Sequence, residues 1–348
     1  MFQRIVVPLD RSKRAEEALS VAARLARASG GSLLLVRVVL SYREAAWAEG
    51  VVALMESPVD VEIARAERDL ETVASSEELA GIEIATRVLS GDPARMILST
   101  VKESHADLIV MCSHGYTGAK RWILGSVAQK VARHSAIPVL ILRQGVATPV
   151  LPLITEEHSP RIMVALDGSA LAEAALTPAA ALCAALSAPE QGELHLVRIL
   201  PLSTTFEHGE HDSLVRARTE GTVEAKAYLS TVVERFHKGE LAKFNLKLTI
   251  SVDYDLDIAQ RLITIAENEP GEDDEVGCDI LAMATHGRSG LARWVMGSVA
   301  ERVLGATSLP LLIVRPQKEQ FIAQDQEEPA KVAYREEASD IYPWGALL

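Results

Sequence analysis

One stretch of this chain occurs twice, and its two copies limit the possible folds more than any other feature. Ser113-His114-Gly115-Tyr116-Thr117-Gly118 leads to Gly125-Ser126-Val127-Ala128 and then to Ile137-Pro138-Val139-Leu140-Ile141-Leu142-Arg143. It returns as Thr285-His286-Gly287-Arg288-Ser289-Gly290, Gly297-Ser298-Val299-Ala300 and Leu309-Pro310-Leu311-Leu312-Ile313-Val314-Arg315. In both copies nine residues separate the glycine after the histidine from the glycine before the serine. An Arg-Trp pair (Arg121-Trp122, Arg293-Trp294) holds the same place in each gap, and the offset stays at 172 (285 minus 113) without slip. The chain is built from a duplicated unit.

Each copy reads as strand, glycine-bearing loop, helix, strand. Leu108-Ile109-Val110-Met111 and Ile280-Leu281-Ala282-Met283 are unbroken apolar runs, as strands covered on both faces require. The loop glycines allow positive φ and close approach of a ligand to the backbone. A helix is expected to open at Ser126 and at Ser298, where first-turn N–H groups lack partners within the helix and carry partial positive charge. Such an end suits a phosphate. Ser126-x-x-Gln129 and Ser298-x-x-Glu301 also fit capping boxes, which need no ligand. Either copy alone reads as a cap; the repeated glycine spacing behind a buried strand shifts the reading to phosphate.

The rest of the chain repeats the same alternation. Arg4 to Leu9 is a β-branched run ending at Asp10, followed by an amphipathic helix from Ser12 to Ser29 and a strand from Ser32 to Leu40. Helical periodicity is clearest from Val61 to Ala74, Ile82 to Leu89 alternates as a strand, and Ser90-Gly91-Asp92-Pro93 turns into a helix ending near Ala106. Gly145 to Pro160 holds three prolines and separates the halves. The pattern restarts with Arg161 to Leu166 and Asp167, a helix from Ala170 to Ala185, a strand from Leu194 to Leu200, a helix from Val215 to Phe236 and a strand from Leu246 to Val252. Asp255-Leu256-Asp257-Ile258 then replaces the first copy's glycine turn, and the acidic segment Glu267 to Gly277 reads as a solvated loop rather than a metal site. The expected division is domain 1 over 1–145, a linker over 146–160, domain 2 over 161–316 and an acidic, disordered tail over 317–348.

Alternating strands and helices make this an α/β chain with two tandem doubly wound domains, each a parallel sheet covered by helices on both faces. Ligands of such sheets sit beyond the carboxyl ends of the strands, where strand order reverses. The net charge of −13 argues against a nucleic-acid backbone as partner. Three cysteines without metal-ligand spacing suggest neither a disulfide framework nor a zinc site. The N-terminus reads as a strand, and the most apolar stretch, around Ala174 to Ala188, falls short of a membrane span. A soluble cytoplasmic protein with no membrane partner is expected.

Val7-Pro8-Leu9-Asp10, Ser90-Gly91-Asp92-Pro93-Ala94, Ser113-His114-Gly115 and Gly125-Ser126-Val127-Ala128 resemble the universal stress protein family. Ala165-Leu166-Asp167-Gly168-Ser169, Thr285-His286-Gly287 and Gly297-Ser298-Val299-Ala300 are similar to the same family, in its tandem form. The resemblance implies a Rossmann-like 3-2-1-4-5 parallel sheet in each half. It also implies ATP or another adenine nucleotide as ligand, with Mg²⁺ as a companion. Carried over by position, Asp10 and Asp167 meet the adenine or ribose. Strand-two backbone near Val38, and near Ile199 in the second half, lines the base pocket. Gly115, Gly125 and Ser126 hold the phosphates, as do Gly287, Gly297 and Ser298, with Pro8, Leu9, Met111, Val127, Ala165, Leu166, Met283 and Val299 as further nucleotide-binding positions. The family's first loop glycine is replaced by Cys112 and by Ala284, whose side chains are expected to crowd the α-phosphate.

Asp10 and Asp167 are equally readable as helix N-caps. His114 and His286 read as loop-holding groups rather than acid or base, Lys120, Arg121 and Arg293 as surface cations, Trp122 and Trp294 as covers of apolar surface, and Cys112 as a buried inert thiol. Besides regulatory nucleotide binding, the sequence leaves a nucleotide-independent protein-interaction scaffold and a slow ATP hydrolase as alternatives. Homo-oligomers or protein partners stay open. The apolar closing strands Val139–Leu142 and Leu311–Val314 read as sheet edges, and the resemblance implies that they pair with each other, giving an intramolecular pseudo-dimer.

Overall fold

A computed structural model of the chain describes residues 1–40, 58–113, 124–143, 159–202, 211–268, 277–287 and 296–316. The first half contains β1 (Arg4–Pro8), α1 (Lys13–Ser29), β2 (Ser32–Val39), α2 (Pro58–Ala74), β3 (Glu83–Ser90), α3 (Pro93–Ser104), β4 (Leu108–Cys112), α4 (Ser126–His134) and β5 (Val139–Leu142). The second contains β6 (Arg161–Ala165), α5 (Ala170–Glu173), α6 (Leu176–Ser187), β7 (Glu193–Pro201), α7 (His211–Lys238), β8 (Lys247–Asp255), α8 (Ile258–Glu267), β9 (Ile280–Ala284), α9 (Ser298–Ala306) and β10 (Leu311–Val314).

The ten strands of the described residues lie in one sheet, ordered β3-β2-β1-β4-β5-β10-β9-β6-β7-β8. Each half has the expected 3-2-1-4-5 order with every internal pairing parallel. The halves meet where β5 and β10 pair antiparallel, Leu140 opposite Leu312. All four residues of each closing strand are buried. Leaving two such strands as open edges would expose ladder groups and apolar side chains together, so mutual pairing removes both liabilities. Residues Met1–Pro316 consequently pack as one compact unit.

Helices cover both faces. One core layer joins α1, α6 and the side chains of Val7, Leu35, Val110, Val164, Leu196 and Ala282; the other joins α3, α4, α8 and α9 to Val36, Met111, Ile141, Met283 and Ile313. Both layers run through the seam. Arg24 of α1 donates to the Leu186 carbonyl of α6, Arg133 of α4 pairs with Glu301 of α9, and the buried Arg143 donates to the Leu304 carbonyl. Burial in this apolar setting lowers the Arg143 pKa to about 10.

The expected helix from Ala170 to Ala185 is interrupted at Ala174-Ala175. Pro178, the third residue of α6, has no N–H to return to a continued preceding turn, and the helix restarts where a missing donor costs nothing. Ala170–Ser187 is apolar enough to be tested as a membrane span, yet α6 is apolar on all sides because it lies inside the core, where Ala179, Ala180, Leu182 and Cys183 have no exposed surface. The second half's departure at Asp255 to Ile258 keeps the role of the segment it replaces: Asp257 caps α8 through Gln260 N, as Asp92 caps α3 through Arg95 N. Readings placed on Ser41 to Pro58, the linker, most of the acidic segment and the tail lie largely or wholly outside the described residues.

Candidate functional site

Parallel pairing brings the ends of β1 and β4, and of β6 and β9, side by side at the point where strand order reverses. Pairing extends one residue beyond β1 and β6, since Leu9 N donates to the Val36 carbonyl and Leu166 N to the Val197 carbonyl, each at 2.8 Å. The next residues are Asp10 and Asp167. Each turns back on its own chain. Asp10 Oδ1 accepts from Ser12 N (3.1 Å) and Ser12 Oγ (2.6 Å), and Asp167 Oδ1 from Ser169 N (2.9 Å) and Ser169 Oγ (2.6 Å). The N-caps are therefore Ser12 and Ser169, which accept from Ala15 N and Ala172 N. The aspartates stand two residues earlier and orient the capping serines, so the N-cap reading of Asp10 and Asp167 is shifted to their neighbours.

In the second half the aspartate also reaches the loop after β9. A Cβ added to Gly287 would overlap Asp167 Oδ2 and stand 3.0 Å from its Cγ. This position tolerates no side chain while the carboxylate is in place. Gly115, the matching residue, lies outside the described residues, as do His114, Gly118, Lys120, Arg121, Trp122, Arg293 and Trp294. Beside Gly287, His286 Nδ1 lies 2.8 Å from the buried Thr285 hydroxyl, which holds the ring against the strand end.

The following helix is tied to the same strand end. Gly125 N donates to the Ser113 carbonyl and Gly297 N to the Thr285 carbonyl, both at 2.8 Å. Two backbone bonds thus place the starts of α4 and α9 over β4 and β9. Neither capping box forms. Gly125 and Gly297 are the N-cap residues, with extended backbone and no side-chain cap, while Ser126 and Ser298 are the first helical residues and are exposed. The glycine carbonyls accept from Gln129 N and Glu301 N, and Glu301 is committed to Arg133 across the seam. First-turn amides that sequence spacing assigned to a serine cap have none.

Val38, Met111 and Val127 converge with Ala165, Ile199, Met283 and Val299 on the α3/α4/α8/α9 face of the sheet. Leu9 and Leu166 instead pack into the opposite layer, leaving only their backbone at the switch point; Pro8 ends β1 half-buried. Cys112 also packs toward that layer. Its thiol lies against the Ala18 backbone and near Glu17 of α1, and burial first, then Glu17, pushes its pKa up to about 12. Ala284 follows Ala282 at the strand's two-residue period and is buried with it on the same side. Cys112 thus faces α1, and by the strand's period Ala284 points to the same side of the sheet, opposite the layer that holds α4 and α9.

Two arginines near these sites escaped the sequence reading. Arg37 and Arg198 interrupt the apolar runs of β2 and β7 and are buried at the same place in each half. Arg37 pairs with Asp69 at 3.0 Å, and burial followed by nearby Arg11 lowers its pKa. Arg198 lies over the Tyr228 ring at 5.2 Å, and Tyr228 donates to Glu173, itself held by Arg235. The available signal was a charged residue inside a strand otherwise buried on both faces.

A family model, the universal stress protein family, matches residues 1–143 and 159–315. A universal stress protein of Methanocaldococcus jannaschii is 32% identical over 145 residues, covering 41% of this chain and 84% of that protein. One from Bacillus subtilis is 33% identical over 151 residues, covering 41% of this chain and all of that protein. The crystal structure of a universal stress protein from Archaeoglobus fulgidus shares the fold across both halves, with a TM-score of 0.57 at 19% identity over 91% of this chain and 97% of that one. With two matched segments, one sheet order repeated in each half and relatives that match about one half, the chain belongs to the universal stress protein family as a tandem of two family units.

Proposed function

We propose that the protein binds ATP or a related adenine nucleotide at its switch points and that occupancy regulates its conformation or partner choice in a stress response. One observation carries this reading. In the second half a strand-end carboxylate (Asp167), a backbone position without room for a side chain (Gly287) and an uncapped helix start (Gly297-Ser298-Val299) meet over one pair of strands. A carboxylate accepts hydrogen bonds from vicinal ribose hydroxyls, and free first-turn amides receive phosphate oxygens. Ile199 and Met283 supply an apolar wall on the side of the sheet where α9 begins. Mg²⁺ bound to the triphosphate would offset its remaining charge.

Among the described residues the first half offers two of these elements, the Asp10 carboxylate and the helix start at Gly125, Ser126 and Val127, with Val38 and Met111 as the wall. The bond between His286 and Thr285 favours a loop-holding role for the imidazole over proton transfer, so binding with regulation is preferred to hydrolysis. Nucleotide affinity would act by stabilising one of two conformations. Mass spectrometry of nucleotide released from gently purified full-length protein tests the proposal. Wild type is expected to release an adenine nucleotide, and Gly297→Val and Gly125→Val to release less. No released nucleotide, together with no ATP affinity by titration calorimetry, would refute it.

A further inference from the structure

The two halves differ in charge at matching positions on their last two helices. In the first half a cleft of about 440 Å³ between α3 and α4 is lined by Asp92, Arg95, Leu98, Lys102, Lys130 and His134, among others. Three fixed cations and a histidine face one carboxylate, in a chain whose net charge is −13. That carboxylate is already engaged: Asp92 caps α3 through Arg95 N at 2.9 Å and accepts from Lys130 Nζ at 3.3 Å. Glu103, the next acidic side chain on α3, is held by Arg87 at 2.7 Å and by Ser99 at 2.9 Å. Among the described residues no ion pair involves Arg95, Lys102 or His134.

The fold does not require this charge. Counting from the capping aspartates, Arg95 corresponds to Gln260 and Lys102 to Glu267; along the last helix, Lys130 corresponds to Arg302 and His134 to Ala306. The Lys130–Asp92 pair recurs as Arg302–Asp257, so that contact belongs to the architecture. The remaining cations do not recur. At the same positions the second half places one cation against two carboxylates. Lysine and histidine in a last helical turn complement the dipole, but the second half's helices end without either.

We propose that the α3/α4 cleft is an anion site, separate from the switch points, for a small ligand carrying two or more phosphate groups. Arg95 and Lys102 are seven residues apart on one helix, or about 10 Å at about 1.5 Å per residue; Lys130 and His134 are four apart, or about 6 Å. Lys130 reaches Asp92, the cap of α3, and so belongs with Arg95 in the first turn of that helix, while Lys102 and His134 lie in the last turns of α3 and α4; two groups of cations thus line the cleft, as the two ends of a short oligophosphate require. Leu98 provides an apolar floor between them. The overall negative field opposes anion capture, so affinity must come from these local contacts and fall steeply with salt.

Titration calorimetry of the full chain with inorganic tripolyphosphate and with orthophosphate tests the assignment. The variant Arg95→Gln/Lys102→Glu/His134→Ala installs the residues that the same fold already carries in its second half. It should melt close to wild type, keep any ATP affinity, and bind tripolyphosphate about tenfold more weakly or worse, the loss expected from removing charge-assisted contacts. Lys102→Arg should retain binding. Tripolyphosphate should bind wild type about tenfold more tightly than orthophosphate, because it engages both cation groups. No tripolyphosphate binding by wild type, equal affinity for the two ions, or unchanged binding by the triple variant would overturn the assignment. If the triple variant melts far below wild type, Lys102→Glu alone decides by the same criterion.

Discussion

Replacing Gly287 with alanine tests the geometry of the second switch point without reference to any ligand. The new Cβ would overlap Asp167 Oδ2 and stand 3.0 Å from Cγ, against ordinary contacts of 3.4–4 Å. The carboxylate must swing aside, and rotation about the short side chain carries Oδ1 with it. Its bonds to Ser169 N (2.9 Å) and Ser169 Oγ (2.6 Å) are then lost. Hydrogen bonds to a charged acceptor contribute about 1.5–3 kcal/mol each, but the site is half-buried and water replaces much of this, leaving a cost of about 1–2 kcal/mol in all. The backbone of Gly287 is outside the left-handed region, so alanine also restricts the unfolded chain and returns about 0.5 kcal/mol. Gly287→Ala should therefore destabilise wild type by about 1 kcal/mol and be neutral or slightly stabilising in an Asp167→Ala background. Urea unfolding of the four proteins, with constant m values, gives the coupling. If Gly287→Ala costs the same in both backgrounds, within about 0.3 kcal/mol, Asp167 does not occupy the space assigned to it.

Three further outcomes are expected. His195 is buried between the Thr249 and Ser251 hydroxyls, and desolvation followed by Arg161 lowers its pKa to about 4. The unfolded chain therefore takes the proton first as pH falls below 6.5, and about 3 kcal/mol of stability is lost by pH 4; urea midpoints at pH 7 and 4.5 should show a slope that His195→Gln reduces. The Cys112 thiol, raised by burial from 9.0 to about 12, should be alkylated by iodoacetamide roughly a thousandfold more slowly in native protein than in urea, as read by peptide mass spectrometry. Leu312→Ala, at a fully buried seam position opposite Leu140, should cost about 2–5 kcal/mol, and a cost below about 1 kcal/mol in thermal or urea unfolding would contradict the antiparallel pairing.

Strands such as Leu108–Cys112 and Ile280–Ala284 were legible because burial on both faces demands unbroken apolar runs. Amphipathic α1 was legible for the related reason that only one of its faces is buried. The switch-point residues were legible as types and positions, through the repeat. Their bonding was not. The helices open at Ser126 and Ser298 as expected, but their N-caps are Gly125 and Gly297, which bond to the preceding strand end, one residue before the serines that a capping box would use. The N-cap alternative for Asp10 and Asp167 was misplaced by two residues, because hydrogen bonding within a turn depends on backbone angles that residue identity does not specify.

Sequence by itself determined the duplication, the α/β alternation and the family, since each is carried by order and period along the chain. The tertiary structure alone decided the rest. It showed that the expected pairing of the closing strands is antiparallel with Leu140 opposite Leu312, that Cys112 faces α1, that Asp167 lies against Gly287, and that the first half keeps a cationic groove. These features depend on distances between groups far apart in the chain, such as Asp167 and Gly287, which local pattern cannot encode and only the packing of strands and helices sets.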